Sequence, residues 1–164
     1  MQDAEVETHI EAGQRTAVEA LYRQHGDRLW RALRLATGSS DIASDALAEA
    51  FAQLIARGSA VRDPASWVWR SAFRIAGGEL KRRGRESGPS SIEAGYEFQE
   101  ETAELIAALP RLSPKQRASI VLHYECGYSL KEIAEIIGST SSAVGVHLHR
   151  GRKRLREILG DEDV

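Results

Sequence analysis

Between Ser141 and Arg156 the chain carries Arg150, Arg152, Lys153, Arg154 and Arg156 and no acidic residue, a net charge of +5. Guanidinium and ammonium groups at this density suit a polyanion, because each makes charge-assisted hydrogen bonds to phosphate oxygens and releases counterions. Ser141 and Ser142 stand where a helix begins, and free amides and hydroxyls there bind phosphate. Val146 can meet a thymine methyl group, and His149 or Arg152 can reach base acceptors. Arg150, Arg152, Lys153 and Arg156 would anchor backbone phosphates, and they also suit the negative end of a helix dipole. A second basic block, residues 62–86, sets Arg62, Arg70, Arg74, Lys81, Arg82, Arg83 and Arg85 against Asp63, Glu79 and Glu86, a net +4. Trp67 within it fits an apolar helix stripe, and core packing is the role read for it.

Acidic blocks separate these regions. Residues 1–12 carry −4, residues 93–104 carry −5, and the chain ends Asp161, Glu162, Asp163, so the formal total of −2 conceals two cationic patches. One such patch is readily explained as a solvated helix face; two point to two polyanion-facing surfaces. Other chemistries find less support. The chain of 164 residues contains no GxxxxGK[ST], HExxH or GxSxG, and no enzymatic activity, metal or cofactor is expected. His147 and His149 are about 200° apart around a helix and cannot chelate one ion from it. His123 and Cys126 could share a face and ligate zinc, but a buried thiol and a satisfied histidine are the commoner outcome.

The elements that position these residues read as helices, and the expected fold class is all-α. Val18, Leu21, Tyr22, Leu29 and Leu33 mark one or two helices over 14–37, ended by Gly38. Ser40 and Asp41 can open a second, with Ala43, Leu47, Ala50 and Leu54 as one stripe, widened by Ile42, Ala46 and Phe51. Asp63-Pro64 starts a third, running to about Arg83 with Val68, Ala72, Ile75 and Leu80, and Gly77-Gly78 invites a kink or fraying inside it. Residues 84–99 are rich in Gly, Ser and Pro and read as a flexible linker. Short helices follow near Leu105–Leu109 and after Ser113-Pro114, where Ala118, Val121 and Leu122 face inward. Ser129-Leu130-Lys131-Glu132 is a capping box. The helix after it ends at Gly138, and a second helix, capped by Thr140 or Ser141, carries Val144, Leu148, Gly151 and Leu155 inward. A short helix, a glycine turn and a basic second helix form a helix-turn-helix pattern. Two small helical domains of about 60 residues each would have marginal cores of their own.

The order of these motifs resembles that of bacterial extracytoplasmic-function sigma factors, the compact branch of the sigma-70 family. The resemblance rests on Leu109-Pro110-Arg111-Leu112-Ser113-Pro114-Lys115-Gln116-Arg117, Glu132-Ile133-Ala134-Glu135 and Arg150-Gly151-Arg152-Lys153-Arg154-Leu155-Arg156. In the first half it rests on Ala43-Ser44-Asp45-Ala46-Leu47-Ala48-Glu49-Ala50-Phe51, on Asp63-Pro64-Ala65-Ser66-Trp67-Val68-Trp69-Arg70 and on Lys81-Arg82-Arg83.

The resemblance implies the following organisation. Residues 1–13 form an acidic extension. Residues 14–83 form a domain that docks on the clamp of core RNA polymerase and engages the −10 element. Residues 84–101 form a linker, residues 102–159 a domain that docks on the flap and reads the −35 element, and residues 160–164 an acidic tail. Asp45, Glu49 and Gln53 would then face the clamp. The loop 58–66 would capture an unstacked base beside Arg62 and Trp67, while Arg70, Arg74, Lys81, Arg82 and Arg83 hold the separated strand. Promoter DNA and core polymerase are the expected partners, and an anti-sigma factor is a further family expectation. The chain departs from the family pattern at Ala48, Arg74 and Gly78. It departs again at Ala143-Val144-Gly145-Val146-His147, where two usual basic side chains are missing and a Gly enters the recognition helix.

A helix-turn-helix regulator acting without polymerase is the alternative; the first-half basic helix and clamp-like segment argue against it. No apolar run approaches the roughly 20 residues that span a bilayer, so membrane insertion is not expected. The acidic N-terminus lacks the apolar stretch of a secretory signal. The single Cys126 excludes an internal disulfide and fits a reducing cytoplasm.

Overall fold

A computed structural model describes residues 2–86 and 100–160, and among them the secondary structure is helical, with no strand. The helices are α1 (Gln2–Thr37), α2 (Ser40–Arg57), α3 (Pro64–Glu86), α4 (Glu100–Ala108), α5 (Pro114–Ile120), α6 (Leu130–Ile137) and α7 (Ser141–Leu159). A wider π turn over Val121–Glu125 continues α5. The expected linker at 84–101 falls largely on residues 87–99, outside the described residues.

Helix boundaries follow local chemistry. Gly38 leaves α1 with φ of 73°, a value that a Cβ would oppose. The cap of α2 is Ser39, whose hydroxyl accepts from Ile42 N at 3.2 Å. The expected opener Ser40 instead accepts from Arg34 Nε at 3.0 Å, so three successive polar residues placed the cap one position earlier than expected. Asp63 caps α3 as expected, accepting from Ser66 N and Ser66 Oγ at 3.2 and 2.7 Å. The Ser66 hydroxyl and amide hold its carboxyl below the usual range. Two expectations fail. α1 is one helix beginning at Gln2, so the acidic segment is its first turns. α3 runs unbroken through Gly77 and Gly78, both exposed with open space where a Cβ would stand.

The buried face of α2 matches the periodicity, whereas Tyr22 of α1 is 50% exposed and α3 buries Trp69, Phe73 and Ala76 beside Val68 and Ala72, with Ile75 and Leu80 only partly buried. Ile42, Ala43, Ala46, Leu47, Ala50, Phe51 and Leu54 of α2 are all buried, against α1 and α3. The marginal cores expected of two separate halves are instead pooled. One apolar cluster runs from Leu29 and Leu33 through Val68, Trp69 and Ala72 to Leu122, Ile133, Val144 and Leu155. Pooling raises the buried fraction above what either half reaches alone. Arg117, only 7% exposed, crosses this junction and donates through Nε to Leu35 O. Burial lowers its pKa to about 10, which leaves it charged at neutral pH.

Candidate nucleic-acid interface

The cationic block of residues 141–156 lies on α7, which α6 and the turn before it set in place. Ser129 accepts from Glu132 N at 3.2 Å, and Glu132 accepts from Ser129 N at 2.8 Å, which completes the expected capping box. The Ser129 amide, and after it the Ser129 hydroxyl, hold the Glu132 carboxyl below its usual range. Gly138 ends α6 in the left-handed region at φ 67° and ψ 48°. Thr140 then caps α7, accepting from Ala143 N at 3.2 Å. The turn is short because both helix ends are satisfied locally, and this fixes the angle at which α7 leaves α6.

α7 buries Val144, Leu148, Gly151 and Leu155, the stripe expected from spacing. Gly151 sits against α5 so closely that an added Cβ would lie 3.1 Å from Ile120 Cγ1. The opposite face is open. Ser141, Ser142, His149, Arg150 and Lys153 are exposed, Val146 is 45% exposed, and Arg152 and Arg156 are half-buried. At Gly145 an added Cβ would meet only Leu130 Cδ2, at an ordinary contact distance of 3.5 Å. Arg154 is turned aside into an ion pair with Glu157 at 3.3 Å. Arg152 Nη1 donates to the Tyr124 hydroxyl at 2.9 Å, a partner from the π turn that sequence spacing does not reveal. Burial, then Lys115 and Arg150, lower the pKa of His147, so that half-buried ring favours the neutral form.

His123 and Cys126, the zinc alternative, are engaged otherwise. His123 Nδ1 donates to Tyr128 O at 2.9 Å. Cys126 is buried, and burial lifts its thiol to about 11. No group of three or more potential metal ligands occurs among the described residues.

The second cationic block, residues 62–86, lies along α3 and the turn before it. Arg62, Arg70, Arg74 and Lys81 are exposed. Arg82 and Arg83 also reach the surface, but Glu79 ties both: Arg82 Nε donates to Glu79 Oε2 and Arg83 Nε to Glu79 Oε1, each at 3.0 Å. The two arginines depress the Glu79 pKa to about 2. Sequence spacing carried this signal, since residues three and four apart on a helix are neighbours. Trp67 is half-buried against the core with Arg57 over its ring at 5.6 Å, in keeping with the packing reading. The turn 58–66 borders a groove of about 660 Å³ whose facing wall includes Gln14, Val18, Leu21 and Ile55.

On α2, Asp45 and Glu49 are exposed opposite the buried stripe. Half-buried Gln53 donates to Glu49 Oε1 at 2.9 Å, holding that carboxylate in place.

The profile described as Sigma-70, region 4 matches residues 102–155. The ECF RNA polymerase sigma factor SigM of Mycobacterium tuberculosis is 31% identical over 167 residues, covering 96% of this chain and 85% of that protein. The RNA polymerase sigma factor CarQ of Myxococcus xanthus is 26% identical over 91% of this chain and 92% of its own. Among solved structures, CnrH in complex with the cytosolic domain of CnrY superposes with a TM-score of 0.69 at 22% identity, covering 95% of this chain and 96% of that one. The sigma factor RpoE in complex with the anti-sigma factor NepR from Bartonella quintana gives 0.65 at 20% identity over 99% of each chain. At these identities the two structures speak to the helical fold.

Proposed function

The chain belongs to the extracytoplasmic-function RNA polymerase sigma factors, and we propose that its two cationic faces divide promoter recognition between them. As a sigma factor it binds core RNA polymerase and directs initiation at promoters with −10 and −35 elements. In our reading residues 102–159 take the −35 element. α7 lies in the major groove with Ser141 and Ser142 on phosphates, Val146 and His149 toward base edges, and Arg150, Arg152, Lys153 and Arg156 along the backbone. The observation that carries this is the two-sided build of α7: one stripe seals the core while the other side stays cationic and open.

Residues 14–83 take the −10 element and the polymerase clamp. Arg62, Arg70, Arg74 and Lys81 track the separated strand, with Arg82 and Arg83 joining when phosphate displaces Glu79. The groove beside the 58–66 turn gives an unstacked base somewhere to lie. Asp45, Glu49 and Gln53 face the clamp. Nucleotide addition stays with the core enzyme, so this subunit supplies choice of start site and help with melting. It acts in the cytoplasm, where core polymerase and promoter DNA meet. An anti-sigma factor is the remaining partner, by analogy with the RpoE complex.

The test is transcription reconstituted from purified chain and core polymerase on a library of genomic fragments. New, reproducible start sites sharing two elements are expected. A chain that binds DNA yet neither copurifies with core polymerase nor creates start sites would be the stand-alone regulator instead.

A further inference from the structure

The open face of α7 is not bordered by polar groups alone. Among the described residues 100–160, the large apolar side chains left exposed are Leu105, Tyr124, Leu130 and Val146. Val146 lies on that face, and Tyr124 is tied to it through Arg152. Leu130 reaches it from the other helix of the pair. It is the first residue of α6, in line with Ile133, Ala134 and Ile137 at helical spacing. Ile133 and Ala134 are buried, and α6 packs on α7. Leu130, one turn nearer the helix start, runs past that packing and is 37% exposed.

The position of α7 that faces Leu130 is Gly145. A Cβ built there would stand 3.5 Å from Leu130 Cδ2 and, beyond the adjoining parts of its own helix, would meet nothing else within 4 Å. The helix backbone is therefore bare at this point, with a leucine methyl group on one side and open space in front. At about 100° per residue, Gly145 lies within about 60° of Ser142 and His149, which are exposed on the cationic side. Val146 lies about 100° further round the helix. A bare stretch of backbone rimmed by an aliphatic side chain offers no charge, and it suits a small apolar group. In the major groove the bases present one such group, the 5-methyl of thymine, whereas cytosine presents an amine and no methyl.

We propose that Leu130 and Gly145 form a notch for the 5-methyl group of a pyrimidine in the −35 element, so that α6 as well as α7 reads sequence. The proposal rests on the −35 reading of residues 102–159. Leu130 takes the methyl out of water, and the missing side chain at Gly145 lets the base edge approach the helix. Val146 meets a different base. Burying one methyl carbon is worth about fourfold in affinity. No charge is involved, so the dependence on salt stays as it is.

The experiment uses holoenzyme formed from the full-length chain and core polymerase, with a promoter taken from the start sites found in the reconstitution above. Across the −35 element, on both strands, each thymine is replaced in turn by uracil, which lacks only the methyl. Each cytosine is replaced in turn by 5-methylcytosine, which adds it. Every base pair contains a pyrimidine, so every position is covered. In competition binding, wild type is expected to show one position where the methylated pyrimidine binds about fourfold more tightly, and Val146→Ala should leave that position sensitive. Leu130→Ala should abolish the difference and keep the wild-type salt slope. Gly145→Ala should abolish it as well, by filling the notch. Its Cβ meets Leu130 at an ordinary distance, so its melting temperature should not fall, which keeps the test independent of any effect of Leu130→Ala on α6. A methyl effect that survives undiminished in both variants overturns the proposal. So does a wild-type holoenzyme with no methyl-sensitive position beyond one that Val146→Ala removes. Failure of the −35 reading looks different: scrambling the whole element would leave wild-type binding unchanged, and the notch would fall with it.

Discussion

Arg152 of the basic helix α7 donates through Nη1 to the hydroxyl of Tyr124, 28 residues earlier, at 2.9 Å. Tyr124 is 58% exposed and edge-on to His123 at 4.9 Å, so its own ring is steadied from behind. The hydroxyl limits where the guanidinium can go, so under the proposed −35 reading Tyr124 positions Arg152 for its phosphate. Tyr124→Phe removes the acceptor and leaves the charge. The expected cost is about 0.5–1 kcal/mol in −35 binding, roughly two- to fivefold, because the bond is solvent-accessible. The slope of log affinity against log salt should stay unchanged, as no phosphate contact is lost. Titration of a −35 duplex at several salt concentrations checks both numbers.

Removing the cations themselves has a different signature. Arg152→Ala or Lys153→Ala should each weaken DNA association by about 1 kcal/mol and lower the salt slope by roughly 1. Holoenzyme binding to a promoter, followed as ionic strength rises, distinguishes this from the Tyr124 effect. Unchanged affinity and slope for both variants would remove the DNA face assigned to α7.

Much of that face was legible because one period decides it. The spacing of Val144, Leu148, Gly151 and Leu155 could form only one inward stripe, and the remaining side had to carry the cations. The capping box at Ser129 and Glu132 and the glycine exit at Gly138 are likewise local, and they stand as expected. What escaped was long-range or balanced on a small energy. Nothing near Arg28 in the chain announces that its partners are Trp69 and Tyr128. The Tyr124–Arg152 pair depends on a π turn that shifts the helix phase by one residue. The α2 cap moved to Ser39 because Ser39, Ser40 and Asp41 all have capping chemistry, and contacts with Arg34 decided among them.

Glu79 offers a test in the opposite direction from charge removal. Its carboxylate holds Arg82 and Arg83 by ion pairs at 2.5 and 3.0 Å, and all three groups reach solvent. Glu79→Gln abolishes the negative charge and leaves the helix length and face intact. Single-stranded −10 DNA should then bind more tightly and with a steeper salt slope, since two guanidinium groups no longer have to leave the Glu79 carboxylate. Fluorescence anisotropy of a labelled −10 strand on holoenzyme reads the change; weaker binding would show that Glu79 orients the arginines for phosphate.

The capping box makes stability depend on acid in a defined sense. Glu132 has a folded pKa below its ordinary 4.5, chiefly through the Ser129 amide and then the Ser129 hydroxyl. A carboxyl depressed on folding adds stability that is fully present above its unfolded value. That stability is lost as pH falls through the folded value, because the unfolded chain takes up the proton first. Thermal melts should therefore be flat in this contribution above about pH 5 and decline below 4.5. Glu132→Gln keeps an acceptor for the Ser129 amide and should flatten the decline, whereas Ser129→Ala should cost about 1 kcal/mol at neutral pH. An identical acid limb in wild type and Glu132→Gln would contradict the assignment.

Gly77 and Gly78 let helix continuity be tested directly. Both lie inside α3, are exposed, and have nothing within 4 Å of an added Cβ. Glycine in a helix interior costs about 0.5–1 kcal/mol relative to alanine, through the larger backbone freedom it gives the unfolded chain. If α3 is the unbroken helix over Pro64–Glu86, Gly77→Ala and Gly78→Ala should each stabilise the chain by about that amount. Adjacent residues share helix turns, so the double variant need not reach the full sum. Denaturant unfolding should show a higher midpoint at constant slope. A helix that kinks at these glycines would instead lose stability on substitution, because the bend would have to be drawn straight against the packing of Trp69 and Phe73 one to two turns earlier.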